Sequence, residues 1–490
     1  VIRSSLAFST ALVFTLAASV HAAEVEGLPQ PGEPQQMKFA EPVERTLGNG
    51  LRIIAVDRPA QPLASLALVF RAGSEADPAK LSGLANFTAG MLVRGTEKRS
   101  ATQLAEDLEV LGASIKAEAT WDATSAYVTT LAKNAQPALA ILADAVCHPK
   151  FVPAEIERLR KERSDEVDIE MEQPGKIARA AVARLTLAGS AYGHTLNGLP
   201  VSLKRITRAD VLTHYQRICR PELATLIVVG DLRADEAFRL AEEQFGSWAP
   251  AKPKAAPQPK AEKAAKPAGP SAILIDLPEA GQAALLLARR APQRSEAGYY
   301  SGQVANTVLG GGYSARLNRE VRIRRGLSYG CRSDLKAWRT DGLFTAGCQT
   351  KNQSVPEVVS VILGEIKKLE QEAVEPEELT ARRSVLTGDF QRELETNDGY
   401  VQRIADFILH DQPTNAFAST LAAYEKITAT DIQTIAAQQF PAGEMTIIVA
   451  GQAKVCAEPL RKIVPNLRVI AQEELDLESP TLVGPKKKRK

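Results

Sequence analysis

The sequence is short of aromatic residues, of cysteine and of net charge, and each shortage closes off a class of function. Aromatics make up 5% of the 490 residues, and the formal net charge is only +2. So weak a field steers no polyanion, and no basic stretch is interleaved with aromatics, so no nucleic-acid partner is expected. The five cysteines, Cys147, Cys219, Cys331, Cys348 and Cys456, contain no C-x-x-C pair, which argues against a zinc ribbon or a thioredoxin-type dithiol. Long apolar runs are also missing, apart from Leu6 to Val20. That run is about fifteen residues, short of the roughly 20 that span a bilayer. With Arg3 before it and Val20 and Ala22 at its end, residues 1–22 read as a signal peptide. Export to a bacterial periplasm or a similar compartment is expected, with no transmembrane segment once the signal is removed; an uncleaved anchor is the alternative.

What is present is an ordinary globular composition, 44% hydrophobic and 24% charged. At roughly 100–200 residues per domain, the length predicts two to four domains. Ala249 to Pro270 is rich in Ala, Lys and Pro without apolar periodicity, the composition of an extended linker. The two sides of it resemble each other. Strand-like runs open at Ser65 to Gly73 and at Gln282 to Ala291; others close at Arg220 to Leu232 and at Gly443 to Ala453, with helical stretches between. An internal duplication of roughly 220 residues is the simplest account. The expected domains are 40–248 and 271–472, joined by a linker at 249–270 and followed by a flexible tail at 473–490, whose PKKKRK end reads as a solvated terminus. The expected fold class is α+β: two homologous sandwiches, each a largely antiparallel sheet with helices on one face.

Local signals agree. Ser100 with Gln103 makes a capping box for a helix over Ala101 to Leu111. Residues 113–132 alternate as a hairpin turning near Trp121 to Ala123. Pro153 opens a long charged helix. Cys331 and Cys348 lie on two β-like runs that turn near Arg339 to Gly342. They could face one another as a disulfide or stay free thiols.

The stretch GLANFTAGMLVRGT, Gly83 to Thr96, has the frame of a metal-site helix. Asn86, Ala89 and Gly90 stand at i, i+3 and i+4 on one face. Their groups are an amide, a methyl and bare backbone. The segment resembles the signature of the pitrilysin/insulinase family, the inverted-zincin metallopeptidases with an H-x-x-E-H motif. Arg71, Gly73, Ser74, Gly83, Met91, Gly95 and Thr96 match the frame. Asn86 replaces the first His, Ala89 the Glu and Gly90 the second His. Gly48 to Asp57 is similar to the family's opening strand, and Gly310 to Gly330 to its C-terminal signature.

The resemblance implies sandwiches of the mitochondrial-processing-peptidase type, two of which form half of a clamshell chamber. It implies a third zinc ligand on a second helix, here most like Glu170, although separation alone also allows Glu166; either could equally be a solvated residue of a charged helix. A hydrolytic zinc takes three protein ligands, and one carboxylate is too few. No cofactor is expected in this chain, and zinc is expected in a partner. His148, His194, His214 and His410 have no metal spacing, no G-x-S-x-G elbow occurs, and Gly310 to Gly312 lack the G-K-[ST] of a phosphate loop.

Arg322 and Tyr329 match the family pair that binds the substrate backbone and the oxyanion; solvated arginine and core tyrosine are the plain alternative. The chain is therefore expected to be inactive alone. It would be the non-zinc-binding subunit of a heterodimeric zinc metalloendopeptidase, with a homologous H-x-x-E-H partner and peptide substrates. The alternative is an inactive structural or peptide-holding protein, like the core proteins of the respiratory cytochrome bc complex.

Overall fold

The apolar runs that open and close each half of the sequence become central strands of two sheets. A computed structural model describes residues 38–249 and 271–484. The expected signal peptide, the linker beyond Ala249 and the basic end at 485–490 lie outside the described residues. The first sheet contains β1 (Val43–Thr46), β2 (Arg52–Asp57), β3 (Leu63–Phe70), β4 (Ser114–Ala119), β5 (Thr124–Leu131) and β6 (Ala224–Gly230), in the order β1-β2-β6-β3-β5-β4. The second contains β7 (Ala272–Asp276), β8 (Ala283–Ala291), β9 (Cys331–Ala337), β10 (Gly342–Thr350), β11 (Thr446–Gly451) and β12 (Leu467–Ala471), in the order β12-β7-β11-β8-β10-β9. Only β2–β6, β7–β11 and β7–β12 pair in parallel. Five strands thus recur in the same relative places. The outer position beside β2 or β7 is filled from opposite ends of the repeat, by β1 ahead of it and by β12 behind it.

Burial explains the patterns. β6 and β11 are buried along nearly their whole length and read as continuous aliphatic runs, as strands covered on both faces do. The β4–β5 and β9–β10 hairpins alternate instead, because only one of their faces is covered. Each repeat's own helices pack on one face of its sheet. In the first, Phe87 and Met91 of the Leu84–Leu92 helix and Leu139 and Leu142 of the Ala135–Cys147 helix meet Leu66, Leu68 and Val128. In the second, Val304 and Val308 of the Tyr299–Leu309 helix and Val358 and Ile362 of the Val355–Gln371 helix meet Leu285, Leu287 and Phe344.

The opposite faces are covered by an exchange. After the Pro153–Glu170 helix, the Pro174–Thr186 helix leaves its own repeat, and its Ile177, Ala178, Ala181 and Val182 pack on Ile273, Ile275, Ala284 and Ile448 of the second sheet. The Asn397–Leu409 helix, which follows the Pro376–Glu393 helix, packs reciprocally against β3 and β6. There Asn397 donates to the Leu63 carbonyl at 3.2 Å, and Asp398 accepts from Ser65 at 2.5 Å and from Thr129 at 2.8 Å.

The capping box at Ser100 and Gln103 forms, and the helix it opens runs over Ala101–Val110. Pro153 occupies the first turn of its helix, which ends at Glu170. One boundary needs correcting. Residues 473–484 are not a free tail: Leu482 is fully buried beside Ile177 and Ile470, Leu475 bridges to Val483, and Glu478 pairs with Arg205 at 3.0 Å. Those apolar side chains extend the layer made by the exchanged helix. Among the described residues, no helix is long and apolar enough to cross a membrane.

Candidate functional site

The Leu84–Leu92 helix carries the degenerate motif, and its first turn is fixed by a buried acid. Asp77 accepts the Gly83 and Ala85 N–H groups, both at 2.8 Å, which satisfies donors that a helix start leaves free. Burial raises the Asp77 carboxyl well above its usual range although both bonds favour its charge. Gly83 sits at φ +90°, and a Cβ there would lie 2.8 Å from the Asn197 backbone. Only glycine fits.

The three motif positions are absorbed into packing. Asn86 donates to Asn197 Oδ1 at 2.7 Å, and its Oδ1 accepts weakly from the Ala119 N–H at 3.4 Å. Ala89 is fully buried against Ala85 and Ala119. Gly90 lies under Leu159 of the Pro153–Glu170 helix, where an added Cβ would meet Leu159 Cδ2 at 3.3 Å. Glu170 is ion-paired with Lys176, and Glu166 with Arg163 at 2.8 Å. One engaged carboxylate, an amide, a methyl and bare backbone do not form a zinc donor set. Glu170, Asn197 and His194 do line a common recess of about 260 Å³.

The matching frame residues hold the fold. Arg71 reaches across to Asp411 of the second repeat, with one bond of 2.6 Å. The Ser74 N–H donates to the Thr120 carbonyl at 2.9 Å. Thr96 Oγ1 donates to Asp144 at 2.7 Å and accepts the Lys98 and Arg99 N–H groups.

The second constellation is presented differently. Arg322 lies on a wide, π-type helical turn, Arg319–Arg324, a geometry frequent at functional sites. Its guanidinium stacks over the Tyr313 ring at 4.9 Å. Neighbouring Arg324 and Arg325 are neutralised by Glu320, at 2.6 and 2.5 Å. Burial alone would raise the Glu320 carboxyl, but the Arg325 bond and the Arg324 charge outweigh it and lower it. Among the described residues, no carboxylate lies within ion-pair distance of Arg322. Tyr329 is 89% exposed, Tyr313 66% and Ile323 55%. The segment therefore shows solvent three large side chains, and a half-buried arginine is stacked on one of them, Tyr313.

The sequence pattern described as Insulinase (Peptidase family M16) matches residues 52–198, and the pattern described as Peptidase M16 inactive domain matches residues 205–386. The chain belongs to the insulinase (M16) peptidase family. An uncharacterized zinc protease of Mycobacterium leprae (strain TN) is 24% identical over 413 residues, covering 84% of this chain and 92% of the relative. One of Bacillus subtilis (strain 168) is 23% identical over 358 residues, covering 73% and 86%. Among solved structures, a peptidase M16 inactive domain from Pseudomonas fluorescens shares the fold with a TM-score of 0.75 at 24% identity, covering 84% of this chain and 98% of that one. A protease from Helicobacter pylori superposes with a TM-score of 0.79 at 18% identity, covering 84% and 100%.

In this M16 chain His194 and His214 are engaged in packing. His194 is half-buried, held between the Ser74 and Thr195 carbonyls, both 3.0 Å away, and desolvation lowers its pKa against those two bonds. His214 is pushed down to about 3 by burial, with the Arg217 charge adding to the effect. Among the described residues, no cluster of His, Cys, Asp or Glu has the makings of a metal site. Sequence reasoning missed two features. Tyr313, the shelf beneath Arg322, is nine positions away in a segment without helical period. A lock between the repeats was also missed: Trp338 stacks on Tyr192 at 4.9 Å and touches Trp121 at 5.7 Å. Beside it, Arg339 pairs with Glu75 at 2.6 Å and its N–H donates to Asp122 at 3.0 Å. The Trp121-Asp122 turn was visible as a hairpin tip, but nothing local showed that the other repeat would clasp it.

Proposed function

We propose that this chain is the non-zinc-binding subunit of a heterodimeric zinc metalloendopeptidase and supplies Arg322 and Tyr329 to the zinc site of a homologous H-x-x-E-H partner. One contrast carries the reading: the metal positions are filled by packing, whereas Tyr329 is exposed and the half-buried Arg322 has, among the described residues, no carboxylate partner. A guanidinium and a phenol together offer donors to a peptide carbonyl and to the oxyanion that forms when water attacks it. Glu320 supports this by taking up the two neighbouring charges and leaving Arg322 available. A zinc held by the partner's H-x-x-E-H residues would supply carbonyl polarisation and water activation. This chain contributes hydrogen bonds that strengthen as charge develops on oxygen. The complex acts on peptides outside the cytoplasm, after removal of residues 1–22.

The test is co-expression with an H-x-x-E-H homologue from the same genome, followed by sizing and a peptide-cleavage assay. Arg322→Ala and Tyr329→Phe should each lower kcat by roughly 10²-fold while the heterodimer still elutes intact. Unchanged turnover in both variants would leave only a structural or peptide-holding role. N-terminal sequencing of the mature protein checks the removal of residues 1–22, and an intact Arg3 would refute it.

A further inference from the structure

Cys331 and Cys348 remain unused by this function, and they are directly opposite each other in the β9–β10 pairing. Opposed residues of antiparallel strands have Cα atoms about 4.5–5.5 Å apart, inside the roughly 4.4–6.8 Å that a disulfide spans. Both side chains lie on the face that packs with Phe344 and Leu335. Cys331 is fully buried, and Cys348 is half-buried and so within reach of a small reagent. Both are free thiols here.

The pair sits at the root of the segment that carries Tyr329. Ser328 Oγ donates to the Gln349 carbonyl at 2.6 Å, Thr350 Oγ1 donates to the Leu327 carbonyl at 2.5 Å, and the Cys331 N–H donates to Asn318 Oδ1 at 3.3 Å. The first two contacts tie residues 327–328 to the end of β10, immediately beyond Cys348.

We infer that Cys331 and Cys348 form a reversible cross-strand disulfide and that its closure stiffens the Gly326–Gly330 segment bearing Tyr329. The oxidant is a small or protein disulfide. The Cys348 thiolate attacks one of its sulfurs, breaking that S–S bond and releasing a thiolate that takes up a proton. Cys331 then loses its proton and attacks Cys348 Sγ, forming the intramolecular bond and expelling the second thiol. Two electrons and two protons pass from the cysteine pair to the oxidant. Cys348 takes the attacking role because it is the half-buried partner that a reagent can reach, and the influence of the neighbouring thiol, which raises the Cys331 pKa and lowers that of Cys348, agrees.

The experiment treats the purified chain with excess oxidised glutathione, alkylates the remaining thiols and maps it by mass spectrometry without reduction. A peptide pair linked through Cys331 and Cys348, lighter by two hydrogens, is expected. Titratable thiols should fall from five to three and return with dithiothreitol. Hydrogen exchange at residues 326–330 should slow by roughly three-fold or more on oxidation and stay unchanged in Cys348→Ala. Five persisting thiols, a glutathione adduct on Cys348 that never resolves, or a link between other cysteines would overturn the pairing. A bond that forms without slowing exchange would overturn the control of the segment. The inference does not depend on the proposed partner, because every readout is made on this chain alone.

Discussion

Position 90 shows why installing zinc ligands on this helix would take more than three substitutions. Leu159 already presses on Gly90, so a histidine there must displace it. Gly90→His is expected to cost about 1–3 kcal/mol, the usual price of overpacking, read as a lowered denaturant midpoint at unchanged slope. The triple variant Asn86→His, Ala89→Glu, Gly90→His should hold less than one zinc per chain by elemental analysis; stoichiometric zinc would contradict the packing argument. A second residue-scale effect belongs to Glu75. Burial raises its carboxyl to about 7 from 4.5, against the pull of the Arg339 charge. Between those values the folded chain keeps a proton that the unfolded chain has released. This contribution to stability is complete below pH 4.5 and disappears as the pH rises through about 7. Glu75→Gln should flatten that decline, measured as melting temperature against pH; an unaltered slope would mean that Glu75 is ionised throughout.

At the scale of elements, the exchanged helices make the sharpest demand. Ile404 is fully buried on the Asn397–Leu409 helix, and Ile177 is 3% exposed on the Pro174–Thr186 helix. Ile404→Ala should lower stability by about 2–5 kcal/mol, with the added exchange appearing first in β3 and β6 of the other repeat. Exchange confined to the second repeat would refute the crossing. These elements also mark the limit of what the sequence discloses. Strands β3, β6, β8 and β11 were legible because both-face burial demands unbroken aliphatic runs. The Ala101–Val110 helix was legible because its cap is written in Ser100 and Gln103. The degenerate motif was legible because its frame survives around the missing groups. Nothing in the sequence of Pro174–Thr186 says which sheet receives its apolar stripe, since that is decided by chain direction after Glu170. Exposure of Tyr329 was equally invisible, because tyrosine serves core and surface alike. The tail was misjudged for a related reason: Leu475, Leu477 and Leu482 are too sparse to announce a packed segment, yet they fall on a layer already in place.

For the whole molecule, the two repeats cannot be treated as independent beads on a linker. Fragments 38–249 and 271–484 expressed separately would each expose a sheet face that the other normally covers. Each alone should bind a hydrophobic dye and unfold without cooperativity, while co-expressed fragments should co-purify and unfold in one transition. A single fragment with a sharp calorimetric transition would disprove the mutual dependence. The reciprocal crossing also constrains the history of the chain. Before gene duplication, a half-length ancestor with this topology would have carried a protruding helix and a naked sheet, and a second identical molecule would have supplied both remedies. The present polypeptide then has the architecture of a fused homodimer, in which each repeat supplies the helix that covers the other's sheet.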